Sequence, residues 1–182
     1  AGKISVRQAK SAEKITLLNG DEKTLNPGTL VIADEQSVLA IAGVMGGEHS
    51  GVHSKTTSLF LESAYFSPEI IAGKSREYNV FTDSSFRFER GVDFNLQEKA
   101  MERATALLLT IVGGEPGPII EIAAPNALPT LPEITLRHQR LTKILGLDLS
   151  FAAVTDILKG LPLSVKALKD AWQVKPSSSR FD

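Results

Sequence analysis

Ile4 and Val6 alternate with polar neighbours across Lys3 to Gln8, the period-two pattern of a half-buried strand. Ile15 to Leu18 and Lys23 to Leu25 flank Asn19-Gly20. That dipeptide supplies the positive φ angles a tight turn requires, so the stretch predicts a hairpin. Leu30-Val31-Ile32-Ala33 and Val38 to Ala42, joined by the polar turn Asp34 to Ser37, predict a second hairpin. Their unbroken apolar runs indicate burial on both faces. The second strand leaves into Gly43-Val44-Met45-Gly46-Gly47, and Thr57 to Ala64 reads as a further strand.

From Ser67 the period lengthens to that of helices. Ser67-Pro68-Glu69 places a hydroxyl, a proline and an acid in the order of a helix start, predicting a helix to about Glu77. Asn95 is read as the cap of the longest helix, Leu96 to Val112, with Leu96, Ala100, Ala104, Leu107, Leu108 and Ile111 on one face and Gly113-Gly114 as its stop. Gly117 to Ala123 returns as a strand. The prolines of Pro125 to Pro132 mark a boundary, giving domains at 1–130 and 131–182. Beyond it come a short strand at Ile134 to Leu136, a helix from Arg137 to Leu145 stopped by Gly146, a helix capped by Ser150 and stopped by Gly160, and a strand around Trp172. The predicted class is α+β: a mixed or antiparallel sheet with flanking helices, then a truncated winged-helix-like α+β unit.

The apolar fraction of 42% suits a globular chain, and no run approaches the roughly 20 apolar residues of a membrane helix. The chain is read as cytoplasmic and as having no membrane partner. Cysteine is absent, which removes disulfides and thiolate metal sites. Residues 1–130 hold 12 Lys and Arg against 16 Asp and Glu, residues 131–182 hold 8 against 5. The second part is mildly basic, which permits contact with nucleic acid but falls short of a strong basic patch. The chain opens on Ala1 and stops at Phe181-Asp182 after Pro-Ser-Ser-Ser-Arg, the look of a piece of a larger protein.

Thr82 to Gly91 interleaves charges, hydroxyls and two aromatics and reads as the wall of a site. Strand alternation would bury Phe86 and Phe88 and leave Arg87, Glu89 and Arg90 as a solvated ladder, so Thr82 to Ser84 is taken as the site's edge. Gly43 to Gly47 either cradles a phosphate or small polar substrate on bare backbone or is a turn between strands. Glu62 stands inside an apolar run, where a carboxylate must be paired, hydrogen-bonded or protonated. It either pairs with Arg87 or Arg90 or faces a pocket and holds a substrate hydroxyl or a water. Gly73-Lys74-Ser75 has Pro68 where a nucleotide P-loop needs its first glycine. His49 and His53 lie in a loop with no third metal ligand in evidence, His138 beside Arg137 and Arg140 is read as solvated or RNA-facing, and no hydrolytic triad is recognisable.

These stretches together resemble the beta-subunit family of bacterial phenylalanine–tRNA ligase, a class II aminoacyl-tRNA synthetase. The motifs that carry the resemblance are Leu39 to Gly47, Leu61 to Phe66, Thr82 to Asp93, Ala100 to Ala104 and the closing Arg180-Phe181-Asp182. The resemblance implies most of a B3/B4 editing domain followed by the start of a B5 domain. Its editing activity hydrolyses tyrosine wrongly attached to the phenylalanine tRNA. Carried over by motif, Glu62 recognises the extra hydroxyl of tyrosine, Thr82 and Ser84 shape the amino-acid pocket, and Gly43 and Gly46 bring backbone to the substrate. Family members often carry Ala at the position of Ser84 and usually Pro at that of Phe94. The family's His and Arg contributions come from upstream of the first strand, so the resemblance implies an incomplete site here, with no residue assigned as catalytic or metal-binding. It also implies an alpha subunit in an alpha-two, beta-two tetramer, tRNA(Phe), tyrosine and phenylalanine as partners, with ATP and magnesium used by the parent enzyme and no cofactor in this piece. Rival readings are a noncatalytic module that holds tRNA or the partner subunit, and a stand-alone fold with a peptide- or amino-acid-binding pocket.

Overall fold

Leu30 to Ala33 lies at the centre of the first unit because its run is apolar on both faces. Val31 and Ala33 are fully buried, and each such aliphatic side chain contributes about 1.5–3 kcal/mol of burial. The computed structural model describes residues 2–180. They divide into two compact units, one ending at Ala123 and the other beginning at Ala124. Ala1, and the Phe181 and Asp182 quoted for the resemblance, lie outside the described residues.

In the first unit β1 (Ser5–Gln8), β4 (Leu30–Ala33), β5 (Val38–Ile41) and β6 (Met45–Gly46) form an antiparallel sheet in the order β1-β4-β5-β6. The hairpin β2 (Lys14–Thr16) and β3 (Glu22–Thr24) is sewn to it by a bridge between Leu17 and Gly47 and by Leu18 N donating to Gly46 O at 3.0 Å. Of the Asn19-Gly20 pair only Gly20 takes positive φ (+84°), and its amide closes the turn onto Leu17 O. The core beneath is aliphatic: Leu17, Leu25, Val31, Ile41, Val44 and Ile71. A deep polar tie joins the hydroxyls of Thr29 and Tyr78, the latter also accepting from Asn26 N at 3.0 Å.

Several expected elements differ. Thr57 to Ala64 and Gly117 to Ala123 form no strand among the described residues. Strand propensity needs a neighbour to pair with, and here Phe60, Ile120 and Ile122 stay exposed. The helix expected from Pro68 to Glu77 is two short ones, α1 (Pro68–Ile71) and α2 (Lys74–Tyr78), because Gly73 at φ +82° breaks the turn between them. Thr82 to Gly91 is no alternating strand but α3 (Asp83–Phe88). Residues two apart on a helix point to opposite sides, so Phe86 is 58% exposed while Phe88 packs against the core. The long helix α4 (Gln97–Val112) has Leu96 at its N-cap, since the Asn95 amide is held by the Asp93 carboxylate in the preceding turn. No residue of α4 is buried.

The second unit contains β7 (Ile134–Arg137), α5 (His138–Leu145), α6 (Phe151–Lys159), β8 (Leu163–Ala167) and β9 (Ala171–Pro176), with an antiparallel sheet β7-β9-β8. Ser150 caps α6 by accepting from Ala153 N, and Gly146 at φ +67° ends α5. Arg137 belongs to the strand, so α5 starts one residue later than expected, and β8 had no expected counterpart. Trp172 is wholly buried, stacks on Phe151 at 4.2 Å and donates from Nε1 to Thr155 Oγ1. His138 is neither free nor outward-facing: its Nε2 lies 2.7 Å from Leu149 O and its ring packs edge-on against Phe151 and Trp172. Among the described residues no helix is long and apolar enough to cross a membrane.

Candidate functional site

The glycine loop and the start of α3 meet. Thr82 accepts from Ser85 N at 3.0 Å through its hydroxyl, while Ser85 Oγ accepts from Thr82 N at 3.1 Å, a reciprocal capping box. This box is why Thr-Asp-Ser-Ser begins a helix and does not extend a strand. Once the cap is set, Thr82 Oγ1 donates to Val44 O at 2.7 Å and Ser84 Oγ donates to Gly43 O at 3.1 Å. Two consecutive carbonyls of the loop are thus fixed by two hydroxyls of one helix start.

Gly43 is glycine for two reasons. Its φ is +68°, and a Cβ there would meet Ile71, Phe66 and Phe88 at 3.2–3.3 Å. The Gly43 amide has no acceptor among the described residues, and Gly43 itself is buried. Gly46 is held elsewhere, in β6 opposite Ala40, with its carbonyl accepting from Leu18 N. The structure therefore joins Gly43, Thr82 and Ser84 and does not bond Gly46 into that cluster. Phe66, Ile71 and Phe88, which shape the Gly43 position, were legible in sequence only as apolar residues.

Glu62 lies in an extended segment with no ladder. It forms no ion pair or hydrogen bond among the described residues: Arg90 instead bonds Glu89 at 3.1 Å, and Arg87 has no acidic partner there. The pairing with Arg87 or Arg90 is thereby corrected. The side chain retains solvent-exposed surface, yet the protein crowding around it weakens hydration of the charge and raises the carboxyl above the ordinary glutamate range. Glu13 is the opposite case. Two hydrogen bonds from the Arg7 guanidinium, at 2.7 and 2.8 Å, lower its carboxyl to about 2.

His49 lines a separate cleft of about 140 Å³ with Lys14, Thr16 and Ser50. Among the described residues no three of His, Cys, Asp or Glu converge as metal ligands.

A family model described as the B3/4 domain matches residues 1–113, and one described as the tRNA synthetase B5 domain matches residues 134–182. Over its full length the chain is 51% identical to the phenylalanine–tRNA ligase beta subunit of Pseudoalteromonas translucida (strain TAC 125) and 53% identical to that of Pseudomonas syringae pv. syringae (strain B728a). Over 98% of the chain it is 53% identical to the beta subunit of Hahella chejuensis (strain KCTC 2396). The chain spans 23% of the length of each of these relatives.

Proposed function

Because the chain belongs to the B3/4 domain family, we propose that its first unit contributes one wall of a pocket that hydrolyses tyrosine mischarged on tRNA(Phe). In this reading the chain is a segment of a phenylalanine–tRNA ligase beta subunit. It works in the cytoplasm with an alpha subunit that attaches phenylalanine using ATP and magnesium, and no residue of this chain has a part in that step. The observation that carries the reading is the clamp on the glycine loop. Thr82 and Ser84 hold the Val44 and Gly43 carbonyls, which fixes the backbone of the loop. Catalysis of this kind needs such fixity, because a water attacks the ester carbonyl only from a narrow range of positions.

Glu62 supplies the selectivity. A carboxyl with no partner among the described residues is satisfied by the phenol of tyrosine and left unpaired by phenylalanine, a penalty that packing alone cannot impose. Gly46 enters by holding the far end of the loop through Leu18. A noncatalytic module for tRNA or the partner subunit is the second reading, favoured by the exposure of Glu62 and by its lack of any bond to the Thr82 cluster.

The test is hydrolysis of tyrosyl-tRNA(Phe) by the reconstituted full-length enzyme, wild type against Glu62→Ala. The editing reading expects the variant to lose discrimination against tyrosine while still charging phenylalanine. Equal hydrolysis by both forms removes Glu62 from the pocket, and hydrolysis by neither leaves the scaffold reading in place.

A further inference from the structure

A second cleft, of about 310 Å³, is lined by the start of α3, Thr82 included, and by Ser75 and Phe81. Its floor contains Ser75 and Ser85, 4% and 2% exposed, and its rim carries Phe81, Asp83, Phe86 and Glu89. The two floor hydroxyls differ. Ser85 Oγ is engaged in the capping box, whereas Ser75 Oγ is buried with no hydrogen-bond partner, a state that proteins avoid unless something else satisfies the group.

The rim is chemically matched to one kind of visitor. Phe81 and Phe86 are 71% and 58% exposed, two rings that neither fill the core nor cover each other. Asp83 has no cationic partner among the described residues, and no lysine or arginine lines the cleft. The chain already displays what such a rim does with a guanidinium. Arg90 lies 3.6 Å from the centre of the Phe86 ring and bonds to Glu89 and to Phe86 O, a cation–π contact assisted by a carboxylate. With Arg90 in place most of Phe86 is still open, and Phe81 and Asp83 remain without a cation.

We propose that this cleft receives an arginine side chain of a polypeptide, with the guanidinium between Asp83 and the Phe81 and Phe86 rings and an N–H directed to Ser75. Arginine fits better than lysine because its planar group stacks on a ring while its edge donates to a carboxylate and a hydroxyl at once. Of the residues in the editing reading only Thr82 lines this cleft, and peptide binding is read without editing, so the two readings fail separately.

The probe is the blocked tripeptide acetyl-Gly-Arg-Gly-amide titrated into the full chain, followed by amide chemical shifts. The expected result is saturable shifts centred on Ser75, Phe81, Asp83 and Phe86, at least tenfold weaker binding of the isosteric citrulline peptide, and at least fivefold weaker binding by Asp83→Asn. Ser75→Ala weakens binding severalfold without lowering the thermal midpoint, a combination that a purely structural Ser75 does not give. Phe81→Leu, a change at an exposed position, repeats the test should Asp83→Asn disturb the start of α3. Equal binding of the citrulline peptide, an undiminished affinity in the Asp83 and Phe81 variants, or absence of shifts at the cleft overturns the proposal. Free arginine amide binding as tightly as the peptide overturns the polypeptide source and gives the cleft to a small guanidinium compound.

Discussion

The Gly43-Val44 loop and the Thr57 to Ala64 segment, which the proposed editing function would bring to one pocket, are held in opposite ways. In the loop, two carbonyls have named donors and the Cα of Gly43 sits against three side chains. In the segment, Glu62 has no bonded partner and Phe60 is 73% exposed. The first half is fixed by contacts within this chain. The second is tied at its end, where Gln97 Nε2 donates to Ala64 O at 3.2 Å, and leaves Glu62 unbonded among the described residues. A wall built from backbone and hydroxyls can be rigid while the group that reads the substrate stays available.

Substitutions should separate the two halves by their cost in stability. Gly43→Ala has the largest effect, a loss of about 3 kcal/mol in denaturant unfolding of the chain, since it adds left-handed strain to three close contacts. A loss below about 1 kcal/mol would mean that the loop is not clamped. Thr82→Val should cost about 1–2 kcal/mol, because it removes both the helix cap and the donor to Val44 O.

The pH responses sharpen the contrast between a bonded and an unbonded carboxylate. The Glu13 carboxyl is lowered in the folded chain, so its contribution is present above the unfolded glutamate value and is lost as pH falls toward about 2. Arg7→Met should remove about 1 kcal/mol of stability at neutral pH and flatten that acid limb, the partly exposed pair being weakened by solvent. Glu62 has the reverse sign. Its carboxyl is raised on folding, so ionisation opposes folding above the unfolded value and not below it. Glu62→Gln should therefore leave unfolding within about 0.5 kcal/mol of wild type at low pH and be no less stable at neutral pH. A marked loss at neutral pH would reveal a partner for Glu62 and close the gap between the two halves.

What could be read from the sequence follows the range of the interactions concerned. The Leu30–Ala33 and Val38–Ala42 pair, the Ser150 cap and the Gly146 stop are local signals, and each forms where expected. Thr82 to Gly91 was misread because alternation of charge and ring fits a strand, while the capping box depends on Ser85 standing where a glutamate more often serves. Thr57 to Ala64 and Gly117 to Ala123 have strand composition, but a strand is a property of two segments and nothing pairs with them among the described residues. The cluster of Gly43, Thr82 and Ser84 spans some forty residues of chain. Its glycines and hydroxyls were visible as candidates, and only the fold shows that hydroxyls meet carbonyls. Ser75 stood out only within Gly73-Lys74-Ser75, which carries no signal of a buried, unbonded hydroxyl.

The stitching of the β2–β3 hairpin to the end of the glycine loop carries a consequence for motion. Leu18 N is closed by Gly46 O, Gly47 N by Leu39 O, and Leu17 bridges to Gly47. An opening that frees one of these amides to exchange its hydrogen with solvent loosens the others, so they share one opening event and a similar protection. The end of the glycine loop therefore moves as an extension of the hairpin to which Leu17 and Leu18 tie it.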